Sequence, residues 1–251
     1  MSMSRSLWNL YALCYDAIAG LAPYQDMLGE VVQSLELAPG MRVLDAGCGT
    51  GALAERVAEA CPEVELVGID LSSTMLKRAR ARQRWPQGFS FVEGNIDDFL
   101  TSDGRGFDRI ASVNVIWTLP DPQRTFERMN AALHAGGRMV HTTPRLRFGA
   151  QRIAWNHIVR QKGWARLRAV LGLPLLGLAG LLNLVLVAQS VLGRSARRAG
   201  KQWQADGLAE LLRNAGSTVL VSKPCYAGQG HLLVCKKDHD GSGLPVPPKG
   251  L

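Results

Sequence analysis

The 251-residue chain has five cysteines (Cys14, Cys48, Cys61, Cys225 and Cys235), with no CxxC pair and no Cys/His ligand spacing. That absence argues against a disulfide framework and against any metal site, and makes a reducing cytoplasm the expected compartment. No internal repeat is visible, which sets aside the solenoid architectures. Acidic residues are missing from one long stretch: no Asp or Glu lies between Glu127 and Asp206. The net charge of +8 is therefore unevenly placed, and it points to an anionic partner: nucleic acid, an anionic membrane surface or an acidic ligand. With 47% apolar and 20% charged residues the composition is that of a globular chain. The length suits one α/β domain with a sizeable insertion.

Short apolar runs alternate with amphipathic stretches from Met41 to Thr143, the pattern of a parallel sheet covered by helices. Strands are expected near Arg42–Asp45, Glu65–Asp70, Phe89–Glu93, Phe107–Asn114 and Arg138–Thr143. Helices are expected near Ala52–Ala60, Thr74–Arg84 and Pro122–His134, with Gly136-Gly137 breaking the last before its strand. The pattern resumes with a helix at Ala205–Asn214 and strands near Thr218–Lys223 and Leu232–Lys236. Leu7, Leu10, Tyr11, Cys14 and Ile18 recur at helical spacing and are interrupted by Asp16, which favours an amphipathic helix over a signal peptide. Five segments result. They are a helical cap (1–40), a core (41–143), a basic and apolar helical insertion (144–204), a completion of the core sheet (205–237) and a disordered tail (238–251).

The segment Val43-Leu44-Asp45-Ala46-Gly47-Cys48-Gly49-Thr50-Gly51 ends an apolar strand in an acid, passes three glycines and opens a helix. Glycines there let the backbone turn tightly and approach a ligand. Nineteen residues after Gly51, Asp70 ends the next strand, where an acid accepts hydrogen bonds from ribose hydroxyls. Dinucleotide sites read G-x-G-x-x-G, whereas this loop reads G-x-G-x-G behind Asp45. A carboxylate repels a pyrophosphate but attracts a sulfonium and an amino-acid ammonium. The loop therefore favours S-adenosylmethionine over NAD.

Four elements, Val43–Gly51, Gly68–Leu76, Glu93–Phe99 and Phe107–Pro122, stand in the order and spacing of one family. On them the chain resembles the class I S-adenosylmethionine-dependent methyltransferases, closest to the branch holding the ubiquinone/menaquinone C-methyltransferases and many small-molecule enzymes. The resemblance implies a Rossmann-like, seven-stranded, mostly parallel sheet with helices on both faces and a helical insertion after the fifth strand. It also implies methyl transfer by in-line displacement. By position, Asp45, Gly47, Cys48, Gly49 and Gly51 would hold the methionine part of the cofactor, and Asp70 the ribose. Leu71 and Met75 would flank the adenine, and Asn95, Ile96 and Asp97 would meet its edge. Asn95 stands where many relatives carry an acid, and its amide oxygen still accepts a hydrogen bond. Asn114 and Val115 would face the transferred methyl.

A general base is required only if the acceptor must lose a proton. His141, expected at the end of the fifth strand, and Tyr11 and Tyr15, in the N-terminal helix, are the catalytic candidates. In relatives with a similar Tyr-Asp opening that helix folds over the cofactor. For His141 a satisfied core residue is the competing reading. His157 falls in the insertion, and His134 reads as a helix-end residue stabilised by the dipole.

Between Arg168 and Arg194 lie about 25 residues without a charge, enough to span a bilayer. One crossing would put strands of a single sheet on opposite sides, so a re-entrant hairpin, an interfacial helix or a cap over the site remain. Gly172, Pro174, Gly177, Gly180 and Asn183 would weaken or bend a continuous helix, favouring two shorter pieces. Trp155 and Trp164 are interleaved among Arg145, Arg147, Arg152, Arg160, Lys162, Arg166 and Arg168 before the run, and Arg194, Arg197, Arg198 and Lys201 follow it. Such flanks suit an anionic membrane surface. The expected acceptor is a lipophilic small molecule or lipid (quinone-like, lipid or polyketide-like), with the chain cytoplasmic or peripheral at the cytoplasmic face. A hydrophobic lid over a small acceptor, a nucleic-acid methyltransferase and a cofactor-binding protein with a non-methyl role such as a cyclase are the alternatives. Nucleic acid is disfavoured, because no Asn-Pro-Pro-Tyr motif is present and a Leu run contributes nothing on phosphates.

Overall fold

In the computed structural model, residues 15–82, 84–145, 150–163 and 205–238 are described. One seven-stranded sheet organises them. Its strands are β1 (Arg42–Ala46), β2 (Glu65–Asp70), β3 (Phe89–Glu93), β4 (Phe107–Val113), β5 (Leu133–Pro144), β6 (Ser217–Cys225) and β7 (Gly230–Lys237). The spatial order is β3-β2-β1-β4-β5-β7-β6; β7 runs antiparallel to both its neighbours and the other pairings are parallel. Strand β1 is buried along its whole length, the condition of a central parallel strand covered on both faces. Going outward from β1, the order reverses between β1 and β4. At such a switch point the carboxyl ends of the strands leave a crevice for a ligand.

Helices α1 (Ala22–Leu35), α2 (Ala52–Ala60) and α3 (Ser73–Ala81) cover one face, and α4 (Ile96–Ser102), α5 (Pro122–Ala132) and α7 (Ala205–Asn214) the other. Helix α6 (Ala150–Arg160) packs on α1. Met27, Leu28, Val31 and Leu35 bury one stripe of α1 completely, the i, i+3, i+4 spacing that makes a surface helix adhere to a sheet. On the other face Phe107, Phe126, Met129 and Met139 form the centre of the core.

Several boundaries differ from the sequence expectation. Helix α3 stops at Ala81, short of Arg84. Helix α5 stops at Ala132, two residues before His134, and β5 begins at once with Leu133. Gly136-Gly137 does not break the chain between them; it lies inside β5, where the register against β4 shifts between Phe107 and Arg109. Helix α4 was not expected, because seven residues are too few for a periodicity to show. Its start is marked by Asn95, whose side-chain oxygen accepts from Asp97 N at 2.8 Å.

Residues 15–19 are helical. The rest of the expected N-terminal helix, Tyr11 included, lies outside the described residues. So do the uncharged run between Arg168 and Arg194 and the tail from residue 239. Among the described residues no helix is long and apolar enough to cross a membrane.

Candidate functional site

The site begins with the turn after β1. Gly47 N and Cys48 N both donate to Ile69 O, at 2.8 and 3.0 Å, which folds the loop back across the end of β2. Gly47 and Gly49 adopt φ of +80° and +54°, a region that L side chains rarely enter. A Cβ at Gly47 would collide with both methyls of Val115. A Cβ at Gly49 would stand 3.5 Å from the ring of Tyr15. The loop is thus walled by Val115 on one side and Tyr15 on another. Gly51, at φ +81°, opens α2. The Cys48 thiol is buried, and burial pushes it well above its ordinary value, so it packs and does not act as a nucleophile.

Asp70 secures the loop from below. Its Oδ2 accepts from Gly49 N at 2.9 Å and its Oδ1 from Ser72 N at 2.8 Å. Burial raises its pKa, and those backbone N–H groups oppose the rise. Asp45 differs. It is buried, and its Oδ2 has no hydrogen-bond partner among the described residues. Burial first, and the charge of Asp70 second, push its carboxyl up to about 7. A buried carboxylate without a partner costs stability, and here it stands where the glycine loop begins. The missing partner is a donor, and a cationic one would draw the proton off Asp45.

The remaining cofactor residues fall into two groups. Val115 closes on the glycine loop, as stated, and Asn114 beside it holds φ +57°. Asn114 N donates to Thr142 O at 3.0 Å, and Thr142 Oγ1 donates to Asn114 Oδ1 at 3.3 Å, so β5 holds this unusual backbone in place. Met75 is buried in the first turn of α3 under the Ser72 cap, and Leu71 is half-buried beside it. Ile96 is buried among Val67, Ile69 and Ile110, so it serves the core as well. The oxygen of Asn95 is already engaged in capping α4. The orphaned buried acceptor in this stretch is Asp97 Oδ1, which has no partner among the described residues.

The catalytic candidates separate clearly. His141 is fully buried, its ring edge-on to Phe126 with centroids 4.9 Å apart, on the sheet face opposite Tyr15. Burial lowers its pKa to about 3, and neither ring nitrogen has a partner among the described residues. The expectation of a base at the ligand edge is corrected. His141 is a core histidine, because strand alternation turns it toward α5 with Met139. Tyr15 is at the site. Its hydroxyl lies 2.7 Å from that of Tyr24, and the ring of Tyr24 meets those of Tyr15 and Tyr226 edge-on at 6.4 and 5.7 Å. Burial pushes Tyr24 up to about 12. Tyr226 sits in the β6–β7 turn, where it and Ala227 hold φ of +54° and +53°.

Sequence reasoning missed Tyr24, Tyr226 and one ion-pair cluster. Asp16 accepts from Arg78 at 2.8 Å and from Arg82 at 3.0 Å, while Arg82 Nε donates to Thr50 O at 3.0 Å. Arg82 thereby ties the N-terminal segment to the glycine loop. These residues come from four distant parts of the chain, and no local pattern joins them.

A family model described as a methyltransferase domain matches residues 37–168, just over half of the chain. The chain belongs to the methyltransferase-domain family. It is 28% identical over 147 residues to a malonyl-[acyl-carrier protein] O-methyltransferase of Legionella pneumophila, covering 57% of this chain and 51% of that protein. It is 31% identical over 111 residues to a ubiquinone biosynthesis O-methyltransferase of Coxiella burnetii, covering 44% and 47%. The chain thus spans about half the length of these curated relatives. Among solved structures, an N-methyltransferase of Bradyrhizobium japonicum in complex with S-adenosyl-L-homocysteine superposes with a TM-score of 0.58 at 19% identity, covering 87% and 89%. That likeness is one of fold. The cofactor of such methyltransferases is S-adenosyl-L-methionine, and a buried carboxylate without a partner, as at Asp45, fits a cationic ligand.

Proposed function

We propose that this chain transfers a methyl group from S-adenosyl-L-methionine to a lipophilic small molecule or lipid. The observation that carries the transfer reading is the buried carboxyl of Asp45, unpartnered among the described residues, beside a glycine loop with no side chains in the way. Asp45 and the loop would hold the methionine part and Asp70 the ribose; Leu71, Met75 and Ile96 would hold the adenine, with Asp97 at its edge. Asn114 and Val115 would stand at the reacting end. When bound there, the cofactor supplies a methyl already activated by its sulfonium.

This chain's residues then contribute alignment and exclusion of water. Tyr15 walls the loop, Tyr24 holds it by the hydroxyl pair, and Arg82 fastens Asp16 behind it. Tyr24 keeps its proton at neutral pH, so it orients and does not abstract. With His141 in the core, the residues shown to wall the glycine loop offer a positioned hydroxyl pair and no histidine. That favours an acceptor whose nucleophile ionises readily: a phenol, a carboxylate or an activated carbon acid. The uncharged run between Arg168 and Arg194, with its basic flanks, supports a lipophilic acceptor met at an anionic membrane surface. The relative named for ubiquinone biosynthesis supports an acceptor of this polarity, whereas the one named for malonyl-[acyl-carrier protein] supports a carboxylate nucleophile.

Detergent-free protein incubated with radiolabelled S-adenosyl-L-methionine and fractionated cell extract tests the reading. Label is expected in the organic-soluble fraction. Label in nucleic acid would overturn the acceptor class, and tight cofactor binding without any labelled product would overturn transfer itself.

A further inference from the structure

Helix α6 has two faces of different character. Ile153 is buried in the core beside α1, His157 Nδ1 accepts from Ala22 N at 3.0 Å, and Arg160 pairs with Asp26. At ~3.6 residues per turn these three share one stripe. The opposite stripe holds Arg152, Trp155 and Val159, all exposed, with Gln151 at its border, and the exposed Lys162 follows two residues after the helix ends. Trp155 is 68% exposed and Val159 43%, and Trp155 leads the large exposed apolar side chains among the described residues. No acid lies on α6 or anywhere between Glu127 and Asp206, so nothing in that stretch offsets the charge of Arg152 and Lys162.

A Trp and a Val bordered by Arg and Lys, on a helix locked to the body by its other side, match the acyl-headgroup boundary of a bilayer. Indole sits at that boundary, the aliphatic group below it, and the long cations reach the phosphates. A protein partner of acidic surface would satisfy the cations but would not need an isolated Trp flanked by them. We infer that the Arg152–Trp155–Val159 face of α6, with Lys162 just past the helix end, docks on an anionic lipid surface. The inference rests on the lipophilic-acceptor reading and deepens it by naming the contact. The chain leaves β5 at Pro144, on the edge where Asn114 and the glycine loop lie, so α6 is the next described element after the site's edge.

The test uses the full chain, with co-sedimentation on vesicles of phosphatidylglycerol and phosphatidylcholine mixed, and of phosphatidylcholine alone. Wild type is expected to bind the mixed vesicles at least about tenfold better, with affinity falling as salt rises. Trp155→Ala with Val159→Ala is expected to weaken binding at least about tenfold, and Arg152→Glu with Lys162→Glu about a hundredfold or more. Both variants should keep wild-type affinity for S-adenosyl-L-homocysteine and a wild-type Tm. Wild-type vesicle binding by either variant, or equal binding of wild type to both vesicles, overturns the inference. A lowered Tm with unchanged vesicle binding would assign the face to packing within the chain. Methyl transfer without vesicle binding would sink this inference alone; vesicle binding without transfer would sink the acceptor reading alone.

Discussion

The hydroxyls of Tyr15 and Tyr24 lie 2.7 Å apart, and this bond fixes the ring that stands over Gly49. Either partner's loss should have the same effect. Tyr15→Phe and Tyr24→Phe are each expected to cost about 1 kcal/mol of stability and to weaken cofactor binding. The double variant should add almost nothing further. A thermodynamic cycle from urea denaturation, paired with calorimetry on S-adenosyl-L-homocysteine, checks it; strictly additive losses would show that the bond does not couple the residues.

Asp45 makes cofactor binding depend on pH. Without cofactor, burial holds its carboxyl at about 7, and a cofactor ammonium set against it would bind the ionised form. Affinity should therefore be level above about pH 7 and fall up to about tenfold per unit below it. For folding the sign is opposite: a raised carboxylate pKa means that the folded apoprotein holds the proton more readily than the unfolded chain. Asp45 thus favours folding below about pH 4 and progressively less up to about 7. Calorimetry in buffers of different ionisation enthalpy should count a proton released on binding at pH 6. Asp45→Asn should abolish that release; its persistence would place the titrating group elsewhere.

Gly47→Ala combines two faults. The residue holds φ +80°, and its new methyl would meet Val115. A loss of at least about 2 kcal/mol is expected, with cofactor binding severely weakened. Val115→Ala in the same chain should recover the steric part and leave the backbone part, so partial rescue in denaturation experiments is the discriminating result.

His141 should be dispensable for chemistry. Its ring is buried against Phe126 with neither nitrogen partnered among the described residues, so His141→Leu removes two unpartnered polar atoms from a buried position. Turnover is expected to stay within about threefold, whereas loss of a true general base costs about a hundredfold or more. The wild-type histidine also has a lowered folded pKa, so its contribution weakens as pH falls from about 6.5 toward 3, and His141→Leu should be more acid-tolerant. A hundredfold fall in kcat with an intact Tm would restore His141 as the base.

What the sequence made legible has a physical pattern. The glycine loop, Asp45 and Asp70 were readable because one turn and two strand ends carry them, and local spacing encodes local geometry. The five core strands were readable because buried parallel strands are apolar runs. The α4 cap at Asn95 and the burial of His141 were not readable, because Asn95 Oδ1 accepts from a backbone N–H of a helix too short to show a period and strand alternation turns His141 to the α5 face of the sheet. Tyr24 and Tyr226 carry no sign in the sequence, since an aromatic contact across the whole chain leaves no local period.

The bond from Ala22 N to His157 Nδ1 bears on how this chain can be re-engineered. Helix α6, within the 144–204 segment, supplies an acceptor to the start of α1, so the segment is not a cassette to be cut out at its two junctions. A swap or excision that begins at Pro144 would also strip the lead turn of α1 of its acceptor and leave Ile153's place in the core empty. A graft boundary placed after Gly163 keeps both contacts.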